Sequence, residues 1–264
     1  MPFNMIVIVR EVWDTRDLAV SVLDESGKIK ESALTTRFEP EDLNALEMAL
    51  QIKDKQGGKV TALSLGDVRG VDVLKECLYR GVDEVVRIGD PNAKNLDTQA
   101  TANLIVQAIR KIGVFDLILS GVTVVEGENS LLGAHVAGLL GIEPITWVDS
   151  LVEIAPGRVV GRRAIEMGYE SIEAPLPALL VVGVALLKED PRSPRSAKAM
   201  LKLKHKKTEI PVWTSSSLGI ENVSGTTSIA GLEAIPQRVI QSKDVDPADE
   251  AALKTMLDEI LKGE

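Results

Sequence analysis

The chain has 264 residues, 26% of them charged, and a formal net charge of -9 at pH 7. That length suits one large α/β domain or one domain with appendages, and that charge argues against general nucleic-acid binding. The single cysteine, Cys77, excludes a disulfide framework and a Cys-rich metal or iron–sulfur site, and aromatics at 3% disfavour a base-stacking platform.

No apolar run reaches the roughly 18 residues of a membrane helix. The first residues enter a strand pattern at once, so neither membrane insertion nor a signal or transit peptide is expected, and a cytoplasmic protein follows. Residues 5–9, MIVIV, read as a buried strand, and Arg10 to Asp14 leave its carboxyl end. Residues 20–23 and 29–32 flank Glu25-Ser26-Gly27 as a small hairpin. Glu39-Pro40-Glu41-Asp42 opens a helix, with proline early and acids in the first turn. Its buried stripe is Leu43, Leu46, Ala49 and Leu50, and Gly57-Gly58 ends it. A strand at 60–65 stops at Gly66, a helix at 71–79 stops at Gly81, and 84–88 is a strand. Asp97 caps a helix with Leu104, Ile105, Ala108, Ile109 and Ile112 at helical spacing.

The stretch from Phe115 to Gly141 organises the chain. Residues 115–119 read as a buried strand bounded by Ser120-Gly121, a loop follows to Glu128, and Asn129 or Ser130 caps a helix running to about residue 140. Gly133, Val136, Ala137 and Leu140 give that helix a packing face, and Gly141 is its C′ stop. The helix start would point its free N–H groups out of the carboxyl edge of the sheet, where an anionic ligand would sit. An ordinary turn with no ligand is the other reading. Neither a Walker A loop nor a G-x-G-x-x-G fingerprint is present. Glu126 and Glu128 would repel a phosphate, so they fit better as ribose acceptors, as helix N-terminal charges or as solvated groups. Nothing nearby completes a Mg²⁺ ligand set.

Strands and helices alternate over residues 1–141, which predicts a parallel sheet with helices on both faces. Right-handed crossovers would bring Ile8, Leu65 and Gly121 to one carboxyl edge. After Gly141, strand patterns at 146–154, 158–165 and 169–173, with turns at Pro156-Gly157 and Met167-Gly168, predict an antiparallel excursion. Residues 177–187 return as a buried strand, and Asp190 to Arg195 breaks regular structure. The basic run Lys198, Lys202, Lys204, His205, Lys206, Lys207 is either a solvated helix face or a docking segment for an acidic partner surface. Residues 208–246 carry few core signals, which suits an arm lying on another subunit. Asp246-Pro247 opens a last amphipathic helix with Leu253, Met256, Leu257, Ile260 and Leu261 on one face. The expected division is a nucleotide-binding α/β domain at 1–207 and a C-terminal arm and helix at 208–264.

No catalytic residue and no metal site can be assigned. The two histidines, His135 and His205, complete no Ser/His/Asp set, and no Gly-x-Ser-x-Gly elbow exists. Cys77 sits among apolar helix neighbours as a structural thiol. A nucleotide-type edge without a catalytic constellation suggests a carrier or binding subunit.

The sequence resembles the β subunit of electron transfer flavoproteins. The residues that carry the likeness are VREVWDT at 9–15, PEDLNALE at 40–47, LSLG at 63–66, FDLILSG at 115–121 and Glu126-Gly127-Glu128-Asn129. They continue with Gly133 and Leu140-Gly141-Ile142, APLPA at 174–178, Asp190-Pro191-Arg192, and residues 200–207. Each piece alone is weak, but together in this order they are specific.

The resemblance implies an adenine-nucleotide-type, Rossmann-like α/β fold with an arm that embraces an FAD-carrying α subunit. It also implies an AMP, or in electron-bifurcating members a second FAD, buried in the β subunit. By position the nucleotide would lie against Ile8, Val9, Arg10, Glu39, Pro40, Glu41, Asp42, Leu65, Gly66, Gly121 and Val122. The set continues through Thr123, Val124, Val125, Glu126, Gly127, Glu128, Asn129, Ser130, Leu131 and Leu132. The implied function is an electron carrier, not an enzyme by itself, between a flavin-dependent dehydrogenase and a quinone reductase or other acceptor. The alternative is a stand-alone adenine-nucleotide-binding, stress-type module. Glu39 stands where the family usually has Asn, the loop is Glu126-Gly127-Glu128-Asn129 instead of Asp-Gly-Asp-Thr, and Leu131 and Leu132 replace Gln and Thr or Val. Backbone contacts to phosphate would survive these changes, whereas side-chain contacts would not. A partner-recognition segment corresponds to 187–203, where Ser193 and Ser196 replace the family's tyrosine and leucine and set this chain apart from members serving acyl-CoA dehydrogenases. A second FAD is slightly preferred over AMP.

Overall fold

The computed structural model describes residues 2–14, 16, 22, 30, 34–66, 70–91, 96–122, 131–183, 196–221, 223–227, 245–246 and 248–262. Its centre is β1 (Phe3–Ile8), a run buried at every position except Asn4. Parallel neighbours flank it on both sides, β4 (Gly58–Leu65) and β6 (Leu117–Gly121). Beyond β4 lie β5 (Glu84–Ile88) and a two-residue strand, β11 (Val212–Trp213), both parallel. Beyond β6 lie β10 (Ala178–Val182) and the first half of β7 (Glu143–Ala155), again parallel. The second half of β7 pairs antiparallel with β8 (Arg158–Ile165), and β8 pairs with β9 (Gly168–Pro175). Among the described residues the sheet has nine strands, in the order β11-β5-β4-β1-β6-β10-β7-β8-β9. The mixed architecture, a parallel core with an antiparallel excursion, agrees with the pattern read from the sequence.

Both faces of the sheet are covered, and the period of two decides which side chain goes where. Met5, Val7, Leu117, Leu119 and Leu180 meet α1 (Pro40–Gln56) and α2 (Val71–Arg80). Ile6, Ile8, Ile118, Leu179 and Val181 meet α3 (Thr98–Ile112) and α4 (Leu132–Leu140). Helices α1, α2 and α4 end at the predicted glycines Gly57, Gly81 and Gly141, and α3 ends at Gly113. Among the described residues no helix is long and apolar enough to cross a membrane.

Three boundaries depart from the sequence reading. The organising strand begins at Leu117 and continues through Ser120 and Gly121, because β10 runs on beside it and pairs Val182 with Gly121. Helix α4 begins at Leu132, with Leu131 at the cap and no side-chain cap bond, and Asn129 and Ser130 lie outside the described residues. Residues 11–13 and 36–38 form a separate antiparallel pair, β2 (Glu11–Trp13) and β3 (Thr36–Phe38), which the sequence did not suggest. The predicted hairpin between them falls mostly outside the described residues. Its one described contact is the Lys30 N–H donating to the Val22 carbonyl at 2.8 Å. The strand read at 177–187 is described as Ala178–Val182, and residues 184–195 lie outside the description.

The stretch expected to lack core elements from 208 onward begins on the chain's own sheet. β11 docks through the Arg87 and Gly89 N–H groups donating to the Pro211 and Trp213 carbonyls, both at 2.9 Å. A 3-10 turn (Ser216–Leu218) buries Leu218, and Trp213, Ile220 and Val223 pack on the α3 side. Lys111 lies over the Trp213 ring at 4.6 Å. A two-residue strand has no periodicity, so backbone pairing placed it where pattern reading could not. The basic run forms α5 (Ala199–His205), none of whose residues is buried. The last helix is α6 (Glu250–Lys262), with Leu257, Ile260 and Leu261 exposed.

Asp97 ties the two ends of this outer layer together. It caps α3 by accepting from the Ala100 N–H at 2.9 Å, and the same side chain accepts from the Thr226 and Thr227 N–H groups at 2.6 and 3.0 Å. These bonds hold its carboxyl far below the usual carboxylate range, the Ala100 amide first and the Thr227 amide next. A depressed folded-state pKa contributes stability that is present above the ordinary carboxylate pKa and lost as pH falls through the folded value. Amide exchange at Thr226 and Thr227, corrected for intrinsic rate, should therefore be unchanged between about pH 7 and 5 and rise only below the ordinary carboxylate range, near pH 4. Asp97→Ala should expose both amides at every pH while the α3 interior stays protected.

Candidate functional site

The carboxyl ends of β4, β1 and β6 are adjacent, so Leu65, Ile8 and Gly121 share one edge, as the crossover argument required. The chain leaves this edge in bonded order. The Val9 N–H donates to the Leu63 carbonyl at 2.9 Å, Gly66 to Ile88 at 3.0 Å, and Val122 to Val182 at 3.2 Å.

The edge is fastened by one carboxylate. Asp42, in the first turn of α1 and fully buried, accepts from Arg10 Nε at 2.8 Å and Nη2 at 2.7 Å. Its Oδ1 also accepts from the Gly121 N–H at 2.8 Å. One side chain thus joins the exits of β1 and β6 to the start of α1. Burial would lower the Arg10 pKa, but the charge of Asp42 and its hydrogen bonds, with Glu39 and Glu41 nearby, raise it overall. Arg10 stays charged, and its fork is committed to Asp42.

Gly121 is glycine for a packing reason. A Cβ there would stand 2.6 Å from Asp42 Oδ1 and 2.8 Å from the Asp42 nitrogen. The absent side chain admits the α1 start, and its N–H is bonded to Asp42. Glu39 is buried at the α1 cap, its N–H donates to the Arg10 carbonyl at 3.1 Å, and its charge acts on Arg10. Pro40 follows as the first helical residue.

Glu39, Glu41 and Asp42 place three carboxyl groups beside one guanidinium. That wall suits hydroxyl and amine donors and disfavours a phosphate. The start of α4 is the opposite kind of surface. Its first turn has no acid and no side-chain cap, which leaves backbone N–H groups and the dipole to meet an anion. Gly133 lets this turn press on the sheet, since a Cβ would meet Val181 Cγ2 at 2.7 Å and Ser120 Oγ at 2.9 Å. Ser120 Oγ is buried there with no partner among the described residues. Leu131 is exposed and Leu132 buried.

The described edge therefore brings together Ile8, Val9, Arg10, Glu39, Pro40, Glu41, Asp42, Leu65, Gly66, Gly121 and Val122, with Leu131 and Leu132 on the α4 side. Thr123, Val124, Val125, Glu126, Gly127, Glu128, Asn129 and Ser130 lie outside the described residues. Acceptors on the α1 wall and amides at the α4 start match the hydroxyls and the phosphates of a nucleotide respectively. Cys77 is fully buried in α2, and burial first, then Glu76, pushes its thiol far up, which makes it a packing residue.

Two features of the edge had no sequence signal. Glu11 accepts from the Gly70 N–H and from Thr36 Oγ1, the latter at 2.6 Å, and so ties the β2–β3 pair to the α2 start. Trp147, at the bend of β7, holds a left-handed φ of 57° and is 52% exposed. Its ring lies against Gly183, where a Cβ would meet it at 3.3 Å. An aromatic residue at positive φ persists only where its surroundings hold it.

A family model described as electron transfer flavoprotein domain matches residues 26–217. The chain is 31% identical to an electron transfer flavoprotein subunit beta of Thermoanaerobacterium thermosaccharolyticum, over 90% of this chain and 86% of the relative. It is 29% identical to the caffeyl-CoA reductase-Etf complex subunit CarD of Acetobacterium woodii, over 90% and 87%. It is 28% identical to protein FixA of Azorhizobium caulinodans, over 97% and 88%.

Removing the Asp42 carboxylate should cost more than any exposed ion pair, because it strands a mostly buried guanidinium and the Gly121 N–H. Asp42→Ala should lower unfolding stability by about 3–5 kcal/mol in urea. Gly121→Ala should cost about 1–3 kcal/mol by overpacking. A loss below about 1 kcal/mol in both would show that the edge is not held by this contact.

Proposed function

The chain belongs to the electron transfer flavoprotein family as a β-type subunit, and from that premise we propose that its carboxyl edge holds a nucleotide cofactor within a heterodimer with an FAD-carrying α subunit. Its role is electron transfer. The observation that carries the reading is the match of the family model over residues 26–217 together with relatives that cover about 90% of the chain. A stand-alone nucleotide-binding module is not favoured, because the relatives also cover the C-terminal region beyond the α/β core.

The residues divide the nucleotide between them. The α1 wall, with Glu39 and Glu41, accepts from ribose hydroxyls or the adenine amine, and the α4 start offers backbone N–H groups to the phosphates. Arg10 takes no part in phosphate binding, because Asp42 holds its fork. Its part is to keep the two walls in fixed relation. The nucleotide we favour is a second FAD, whose ring supplies the redox chemistry while the protein sets position and electrostatics. CarD, named as a subunit of a caffeyl-CoA reductase complex, gives this preference a relative that works in a larger redox assembly. The electron donor is then a flavin-dependent dehydrogenase, and the acceptor a quinone reductase or another redox protein.

Residues 187–203 and the basic α5 serve that docking. Met200 and Leu203 are exposed between the lysines, and the α5 start is fixed to the domain by the Lys198 N–H donating to the Tyr79 carbonyl at 2.9 Å. The exposed face of α6 packs on the α subunit, and the arm of residues 208–264 leaves the chain's own sheet after the β11 clasp.

Acid extraction of the purified heterodimer should release two FAD per dimer. One FAD and one AMP would leave a simple carrier, and recovery of a stable monomer with no flavoprotein subunit would contradict the assembly. Changing Lys202 and Lys204 together to Glu should slow electron delivery and weaken its salt dependence without lowering the unfolding midpoint, since exposed charges steer encounter more than they stabilise folds. Unchanged kinetics at low ionic strength would remove the docking role.

A further inference from the structure

On the flank of the sheet, two strands from β1, the segment after α5 forms an open, concave pocket of about 360 Å³ with α2 and β5. Lys75, Arg87, Lys206 and Lys207 line it, with Glu209 as the one carboxylate among the described lining residues. This concentrates a net positive charge of three in a chain whose overall charge is -9. Val71, the first residue of α2, also lines it, so the helix N-terminal dipole adds the same sign.

The innermost cation sits on rigid structure. Arg87 belongs to β5, and its N–H donates to the Pro211 carbonyl at 2.9 Å, which clasps the lysine-bearing segment to the strand. The clasp is tight, since a Cβ on Gly89 would stand 2.6 Å from Val212 Cγ1. Arg87 Nη1 makes one long contact to the Gly66 carbonyl at 3.3 Å. Its Nε is buried with no hydrogen-bond partner among the described residues. A buried guanidinium nitrogen left in this state is costly unless a ligand satisfies it.

We propose that this cavity is a second ligand site, for a small multivalent oxyanion of the phosphate or pyrophosphate class. Three observations point the same way: the concave shape, the four cations drawn from two elements and a connecting segment, and the incompletely bonded guanidinium. Arginine's planar fork matches phosphate oxygens, and lysines at the rim add charge without fixing geometry. A flat acidic protein surface would reach the rim lysines but not a strand-borne arginine. The basic run thereby has two parts. Lys202 and Lys204 stay on the outer helix, while Lys206 and Lys207 turn back over the cavity.

The test is calorimetric titration of inorganic pyrophosphate into the purified heterodimer at fixed ionic strength, comparing the wild type with the Lys75→Gln/Lys207→Gln double variant. The wild type should bind pyrophosphate, and the double variant at least about tenfold more weakly, as expected for the loss of charge-assisted bonds. Flavin and nucleotide content should be the same in both, which separates this site from the carboxyl edge. Equal binding by the two proteins would overturn the proposal by placing the anion elsewhere. No binding by the wild type would also overturn it, and weaker partner association in the variant would then assign the lysines to an acidic partner segment.

Discussion

Asp42 carries the architecture of the carboxyl edge. A fully buried carboxylate is expensive to desolvate, and it persists here because three N–H donors, two from Arg10 and one from Gly121, converge on its two oxygens. Each donor belongs to a different part of the edge, Arg10 to the chain leaving β1 and Gly121 to the end of β6. Asp42 itself begins α1, so the strand exits and the helix cannot move independently. Gly121 follows as a consequence, since no side chain would let the helix approach so closely.

From that fixed edge the charges sort themselves. Acidic groups gather at the α1 start, and the α4 start, on the other face of the sheet, has none in its first turn. A nucleotide has donors at one end and anions at the other, so the two walls orient it. The opposite flank has the reverse composition, with Lys75, Arg87, Lys206 and Lys207 around an open pocket beside β11. The short parallel strand explains how a chain of net negative charge keeps two surfaces of opposite sign on one sheet, several strands apart.

The sequence made the core legible where periodicity and punctuation agree. MIVIV in β1, the Pro40 helix start, the glycine stops and the Asp97 cap all appear where read, because each is a local physical demand. The antiparallel excursion was legible from its paired turns. The role of Gly121 was not, since its environment is supplied by Asp42, 79 residues away in the chain. Tertiary packing uses both its N–H and its missing Cβ, which no local pattern announces. β11 was missed because two residues show no period and pairing with β5 is a long-range event. Trp147 shows the limit from the other side, since nothing in its neighbours announces a left-handed backbone.

The central claim is that a nucleotide sits on the carboxyl edge between the α1 wall and the α4 start. Hydrogen–deuterium exchange on the heterodimer, compared before and after nucleotide removal and readdition, tests it at residue level. The account predicts that readdition protects the amides of residues 131–134 most, with a smaller gain at Glu41, and leaves Glu39, Gly66 and Gly121 unchanged because their N–H groups are already bonded within the edge. Protection confined to other regions of the chain, with residues 131–134 and Glu41 indifferent to the nucleotide, would contradict it.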